Sequence, residues 1–272
     1  MQSLVELAFL LASIGYTAAS VLFFADLASR RGLDRLSGVA PWILGGAAIF
    51  HLTHVVAASI AARTCAVSTM HSALSLAALI LVVAYLVVRR RSRLQALGAF
   101  ASPLALALLV AAEFIAVRTV ATENHGLLAV HVTANLAGLG LFMLAGAVAV
   151  LYVVHERRLK TKKLGWMASK LPPLDVLERV QHQLLLGVFP LLSVGIVTGA
   201  VFAAQMQWTN VAAIARAVLA SASWAIVAGV LVLRAVAGWR GRRAAYGVIV
   251  GALLILLVVL GYLVHPALGD GL

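Results

Sequence analysis

Apolar residues fall in eight long runs, separated by short polar clusters in which nearly every charge collects. The runs cover about Leu4 to Leu27, Val39 to Ala62, Ser68 to Val88, Ala96 to Val117, Leu127 to about Val154, Leu184 to Ala204, Val211 to Leu233 and Ala245 to Val264. A helix crosses the hydrocarbon core with about 20 apolar residues, and each run reaches about that length. The pattern predicts an all-α, polytopic integral membrane bundle of eight transmembrane helices, forming a single membrane domain over 1–272. Pro41 falls in the first turn of the second helix, where its missing N–H costs little. Pro190 falls inside the sixth, with Gly187 and Gly195 nearby, and predicts a kink. One connection is long, His155 to Gln183. Its second half, Leu171-Pro-Pro-Leu-Asp-Val-Leu-Glu-Arg-Val, predicts a turn and then an amphipathic interfacial helix, within a cytoplasmic basic loop over 157–182.

Composition supports the same class. Hydrophobic residues make up 63% of the 272 and the mean hydropathy is +1.05, whereas a soluble domain is nearer half apolar. The net charge of +12 would suit nucleic acid if the basic residues formed one face, but they cluster at helix ends. The connections after the first, third, fifth and seventh helices hold 18 of the 21 Lys and Arg. The positive-inside rule turns those connections to the cytoplasm and both termini outward. No nucleic-acid partner is expected; the lipid bilayer is, in a multi-pass protein of the bacterial inner (plasma) membrane. The first run follows only Met-Gln-Ser and lacks a basic leader and a cleavage site, so it reads as a retained helix. The lone Cys65 excludes an internal disulfide and a CxxC metal site. No nucleophile motif, phosphate-cradling glycine loop or carboxylate pair appears, and the chain is not expected to be an enzyme.

The candidate chemistry lies in histidines and arginines within apolar surroundings, where an ionisable group must be paired, wetted or bound. His131 falls about one turn inside the outer end of the fifth helix, and His265 at the outer end of the eighth. Asn124, His125 and Thr133 add polarity to that layer. Two imidazoles from separate helices are a common axial pair for heme iron; the other reading is two headgroup-level rings bonded to water. His51 and His54, three residues apart in the second helix, read either as a second metal site or as interhelical hydrogen bonds. His71 begins the third helix and is a third outer polar group. His155 and His182 fall in the basic segment and read as solvated. Arg216, a charge within the seventh helix, reads as an ion-pair partner for Glu113 or Glu6. Alternatively, with Arg118, it would hold the propionates of a porphyrin. Gly138, Gly140 and Gly146 read as close-packing positions.

Several of these segments form an ordered series. It comprises Leu97-Gly-Ala-Phe-Ala-Ser-Pro, His131-Val with Leu151-Tyr-Val-Val-His-Glu-Arg-Arg-Leu-Lys, Leu171-Pro-Pro-Leu-Asp-Val-Leu-Glu, Gly187-Val-Phe-Pro-Leu-Leu-Ser-Val-Gly-Ile-Val-Thr-Gly-Ala, Trp224, Gly238-Trp-Arg-Gly-Arg-Arg-Ala-Ala and His265. The series resembles the cytochrome c assembly protein family, of the CcsA and HemX type, most closely over 95–268. The resemblance implies heme b as cofactor, with His131 and His265 as outward-facing axial ligands. It implies a non-catalytic role in handling heme by export, relay or sensing, in cytochrome c assembly or heme biosynthesis. The family's tryptophan-rich outer motif is reduced here to Trp208, with Arg216 near its lysine position. Val232 stands where the family's deep histidine would, and Thr64 and Cys65 replace another near the third helix. These departures point toward the HemX-like branch. That branch implies an alternative role, a membrane regulator docking a heme-biosynthesis enzyme such as glutamyl-tRNA reductase through its basic loop. Cytochrome c maturation components are the other implied partners.

Overall fold

The computed structural model describes residues 2–29, 34–63, 69–92, 94–114, 125–162, 171–205 and 211–264. Among them, eight helices are long and apolar enough to cross a membrane, and no strand occurs. They are α1 (Gln2–Ala28), α2 (Asp34–Ala62), α3 (Met70–Ser92), α4 (Gly98–Glu113), α5 (His125–Lys160), α6 (Leu174–Gln205), α7 (Val211–Ala237) and α8 (Arg242–Val264). A 3-10 turn, Gln95–Leu97, leads into α4.

The eight runs reappear as the eight helices, but several ends move. α3 continues through Arg89, Arg90 and Arg91, and α8 starts at Arg242. A long cationic side chain continues a helix comfortably, because its stem covers apolar surface while its head reaches water. α5 keeps its ladder through His155 to Lys160, and α6 begins at Leu174. The long connection therefore shortens to 161–173. The segment expected as a separate interfacial helix is instead the opening of α6, continuous with its membrane-crossing part and running on through Pro190. At 1.5 Å per residue, the 36 residues of α5 extend roughly 54 Å, well beyond the roughly 30 Å hydrocarbon core.

By its contacts the chain forms two compact units. One comprises 1–120 with 154–176, the other 121–153 with 177–272. In the first, α1 packs on α2 and α4, and α3 on α2 and α4. Small residues bring the backbones close. A Cβ on Gly15 would lie 2.6 Å from the Ala47 Cβ, and one on Gly98 would enter the Phe23 ring at 2.5 Å. Without a hydrophobic drive between helices in lipid, such close packing and interhelical hydrogen bonds hold the bundle. At its centre His51, fully buried, bridges three helices. Its Nδ1 lies 2.8 Å from the Tyr16 hydroxyl of α1 and its Nε2 2.9 Å from the Ser75 hydroxyl of α3. Replacing it by leucine strands both hydroxyls away from water. The His51→Leu variant is expected to lose roughly 1–3 kcal/mol of stability, read as a lower thermal midpoint in detergent, with Tyr16→Phe losing less.

In the second unit α5, α6, α7 and α8 meet in turn. A Cβ on Gly138 of α5 would lie 2.8 Å from Leu192 of α6, and one on Gly146 2.8 Å from Ala252 of α8. Trp224 of α7 donates its indole N–H to the Ser193 hydroxyl of α6 at 2.9 Å and stacks on Phe189. Gly247 and Gly251 of α8 face Val230 of α7 and Phe142 of α5. Gly238 and Gly241, with φ of +64° and +63°, turn the chain from α7 into α8, a conformation that glycine alone adopts without cost.

The outer faces are apolar. Leu7, Leu10, Ile14 and Val21 of α1 are more than half exposed, as are Val211, Val218, Val232 and Val236 of α7. A soluble monomer would not leave such stripes bare, whereas a lipid-facing helix carries them by necessity. The chain is a multi-pass membrane protein.

Candidate functional site

His131 sits in α5, half-buried, and its surroundings come from α6. Thr198 is the anchor. Its hydroxyl donates to the Val194 carbonyl at 2.7 Å, as a threonine within a helix commonly does. Its oxygen then accepts from His131 Nδ1 at 2.9 Å. With the proton on Nδ1, the neutral ring carries its lone pair on Nε2. Asn135, one turn further along α5, donates its amide to the His131 carbonyl at 2.8 Å. The same nitrogen lies 3.3 and 3.4 Å from the two ring nitrogens, beyond good hydrogen-bond length. Phe202 meets the ring edge-on, with centroids 5.6 Å apart.

Two glycines make room for this pair. A Cβ on Gly199 would lie 3.0 Å from His131 Cε1, and one on Gly195 would run into the Asn135 side-chain amide. Gly195 and Gly199 are one helical turn apart on α6, as His131 and Asn135 are on α5, so the two polar side chains lie along a glycine track. The track fixes the ring, and the hydroxyl fixes its tautomer. The arrangement presents one imidazole nitrogen ready to ligate a metal.

The remaining site candidates divide. Arg216 of α7 lies with its aliphatic stem against Gly261 of α8, where a Cβ would be 3.7 Å from its Cγ. Gly261 precedes His265 by four residues in the sequence. His265, Arg118, Trp208 and Asn124 lie outside the described residues, as does the His125 side chain. Thr133 is exposed on α5, and the hydroxyl that meets His131 is that of Thr198. His51 and His54 do not share one metal position. Both nitrogens of His51 are engaged by Tyr16 and Ser75, and His54 turns instead to Val5 and Glu113. His71 Nδ1 hydrogen-bonds the Ala112 carbonyl at 2.8 Å. The solvated reading of His155 is corrected. It is buried, at 5% exposure, because α5 remains helical around it, and its Nδ1 has no hydrogen-bond partner among the described residues. His182 is half-buried in α6, its Nδ1 enclosed. Glu178, one turn before it, pairs with Arg234 at 3.1 Å.

Reading the sequence missed Thr198 and Asn135. The available signal was the placing of Thr198 between Gly195 and Gly199, a lone hydroxyl on a small-residue face.

Residues 67–267 match the family described as Cytochrome C assembly protein. A curated relative from Azospirillum brasilense, described as an uncharacterized 28.8 kDa protein in the nifR3-like 5′ region, is 29% identical over 131 residues, 48% of either chain. The chain thus spans about half the length of the curated relative it matches. No solved structure matches it.

Proposed function

The chain belongs to the cytochrome c assembly protein family, and on that premise we propose that it binds heme b on the outward side of a bacterial inner membrane. His131 and His265 would hold its iron, and the protein would handle heme by export, relay or sensing, on the HemX-like side of the family. The observation that carries the reading is the His131 anchor. Thr198, its own hydrogen spent on the Val194 carbonyl, lies 2.9 Å from Nδ1 as an acceptor, which leaves Nε2 as the nitrogen for a heme iron. A half-buried neutral imidazole with its other nitrogen already bonded is the donor such a group requires.

When bound, heme supplies an iron with two axial positions, and the rest is done by the chain. α6 holds the His131 ring in one orientation through Thr198 and the Gly195–Gly199 track. Gly261 of α8, the residue on which the Arg216 stem rests, comes four residues before His265 in the sequence. Arg216 and Arg118 would be the cations for the propionates, and Trp208 would complete the cofactor-binding set. No bond-making step by the protein is needed. The charge bias of the connections supports the outward placement of both histidines.

The test is the purified full chain from heme-replete cells. It is expected to carry heme b, identified as its pyridine complex, at about one per chain. A preparation that neither carries nor takes up heme overturns the reading. The anchor makes its own prediction. Thr198→Val keeps the side-chain shape but removes the acceptor, and heme affinity is expected to fall about 10- to 100-fold, measured by titrating heme into the apoprotein.

A further inference from the structure

Within the first unit, three more ligand-type side chains converge. His54 comes from α2, His71 from the first turn of α3 and Glu113 from the last residue of α4. One donor atom from each lies within 4.8 Å of the other two. His54 Nδ1 lies 3.1 Å from the Val5 carbonyl, and His71 Nδ1 lies 2.8 Å from the Ala112 carbonyl. A carbonyl only accepts, so each ring carries a proton on Nδ1, and in its neutral form its lone pair is on Nε2. His54 Nε2 lies 3.8 Å from Glu113 Oε1. His54 Nε2, an imidazole nitrogen of His71 and the Glu113 carboxylate therefore lie within reach of one cation. A proton between His54 and Glu113 would serve that pair and leave the third acceptor unserved; a metal ion serves all three.

The geometry points to a binding site for one divalent transition-metal ion of the zinc type, held by His54, His71 and Glu113. Two imidazoles and one carboxylate suit zinc, cobalt or ferrous iron, whereas magnesium and calcium take oxygen ligands. The backbone carbonyls of Val5 and Ala112 are the outer partners that orient metal-binding histidines. Bonds of about 2.0–2.2 Å put ligand atoms roughly 3.3 Å apart around a tetrahedral ion, so the three must draw in slightly. Glu113, its side chain 40% exposed at a helix end, has the freedom to do so. It ends α4, and the C-terminal carbonyls of a helix favour a cation. The ring of His51 is 6.3 Å from that of His54, but its nitrogens are engaged, so it is not the fourth ligand. That position stays open to water, as in sites that exchange or activate a ligand.

This site does not rest on the heme reading, and His54 lies outside the residues matched to the family. The test uses the full chain without an affinity tag, stripped of metal in detergent. Zn2+ is titrated by calorimetry, and Co2+ is followed by its visible absorption. One Zn2+ per chain is expected, with cobalt bands of a four- or five-coordinate ion. Glu113→Gln, at an exposed position where the fold is not at stake, is expected to weaken zinc by roughly a hundredfold, at least what losing an outer partner costs. His71→Gln is expected to abolish it, and His131→Ala to leave it intact. The inference is overturned if the wild-type chain binds no zinc, if Glu113→Gln and His71→Gln bind it as tightly as wild type, or if His131→Ala loses it.

Discussion

Replacing His131 and His265 together by alanine is expected to abolish the Soret band of the purified protein. Each single variant should keep a weaker, shifted band, because one imidazole remains and water takes the vacated position. The loss follows from the chemistry of the pair. With Nδ1 of His131 bonded to the Thr198 hydroxyl, Nε2 is the ring nitrogen left for the iron. Glu113→Gln should leave the band unchanged, since Glu113 belongs to the first unit and to its own cluster. Absorption spectra of the wild type and the four variants at equal concentration check this. A double variant with an unaltered band would remove both histidines from the account.

Gly195→Val is expected to produce the second large effect. A Cβ at 195 already collides with the Asn135 amide, and valine adds two methyl groups to that collision. Relief requires α5 and α6 to separate or Asn135 to leave the track, and separation displaces His131 from Thr198. Overpacking of this kind costs about 1–3 kcal/mol. The thermal midpoint should fall, and heme binding should be lost or strongly weakened with it. Gly229 of α7 is the control, because a Cβ there meets nothing within 4 Å. Gly229→Ala should keep both midpoint and heme. Equal behaviour of the two variants would mean that the glycine track has no positioning role.

Most of the architecture is legible in the chain itself. In lipid every backbone polar group must bond within its own helix, so a long apolar run leaves no alternative conformation, and all eight runs appear as helices. Their ends are less legible. Arg89 to Arg91 and Arg242 read as boundaries, yet they sit inside helices, since charge marks where the hydrocarbon stops and not where the backbone ladder does. The opening of α6 is hidden for the same reason: Leu174 to Val180 is amphipathic, and amphipathicity does not reveal that the axis continues into the membrane.

The site divides along similar lines. His131 stands out because an ionisable residue in an apolar run is conspicuous. Thr198 and Asn135 do not, because one hydroxyl or amide in a transmembrane helix is unremarkable until the facing helix is known. His51 and His54 look alike in sequence, three residues apart on one helix. Their roles separate only through partners far along the chain, Tyr16 and Ser75 for one, Val5 and Glu113 for the other. The convergence of His54, His71 and Glu113 depends on how three helices come together, which no local pattern encodes.

The central claim is that two imidazoles meet on one heme iron. Electron paramagnetic resonance of the oxidised, heme-loaded wild-type chain tests it most directly. Two histidine ligands predict a wholly low-spin ferric signal, turning partly high-spin in His131→Ala. A high-spin signal from the wild-type protein, or a low-spin signal that His131→Ala leaves untouched, would contradict it.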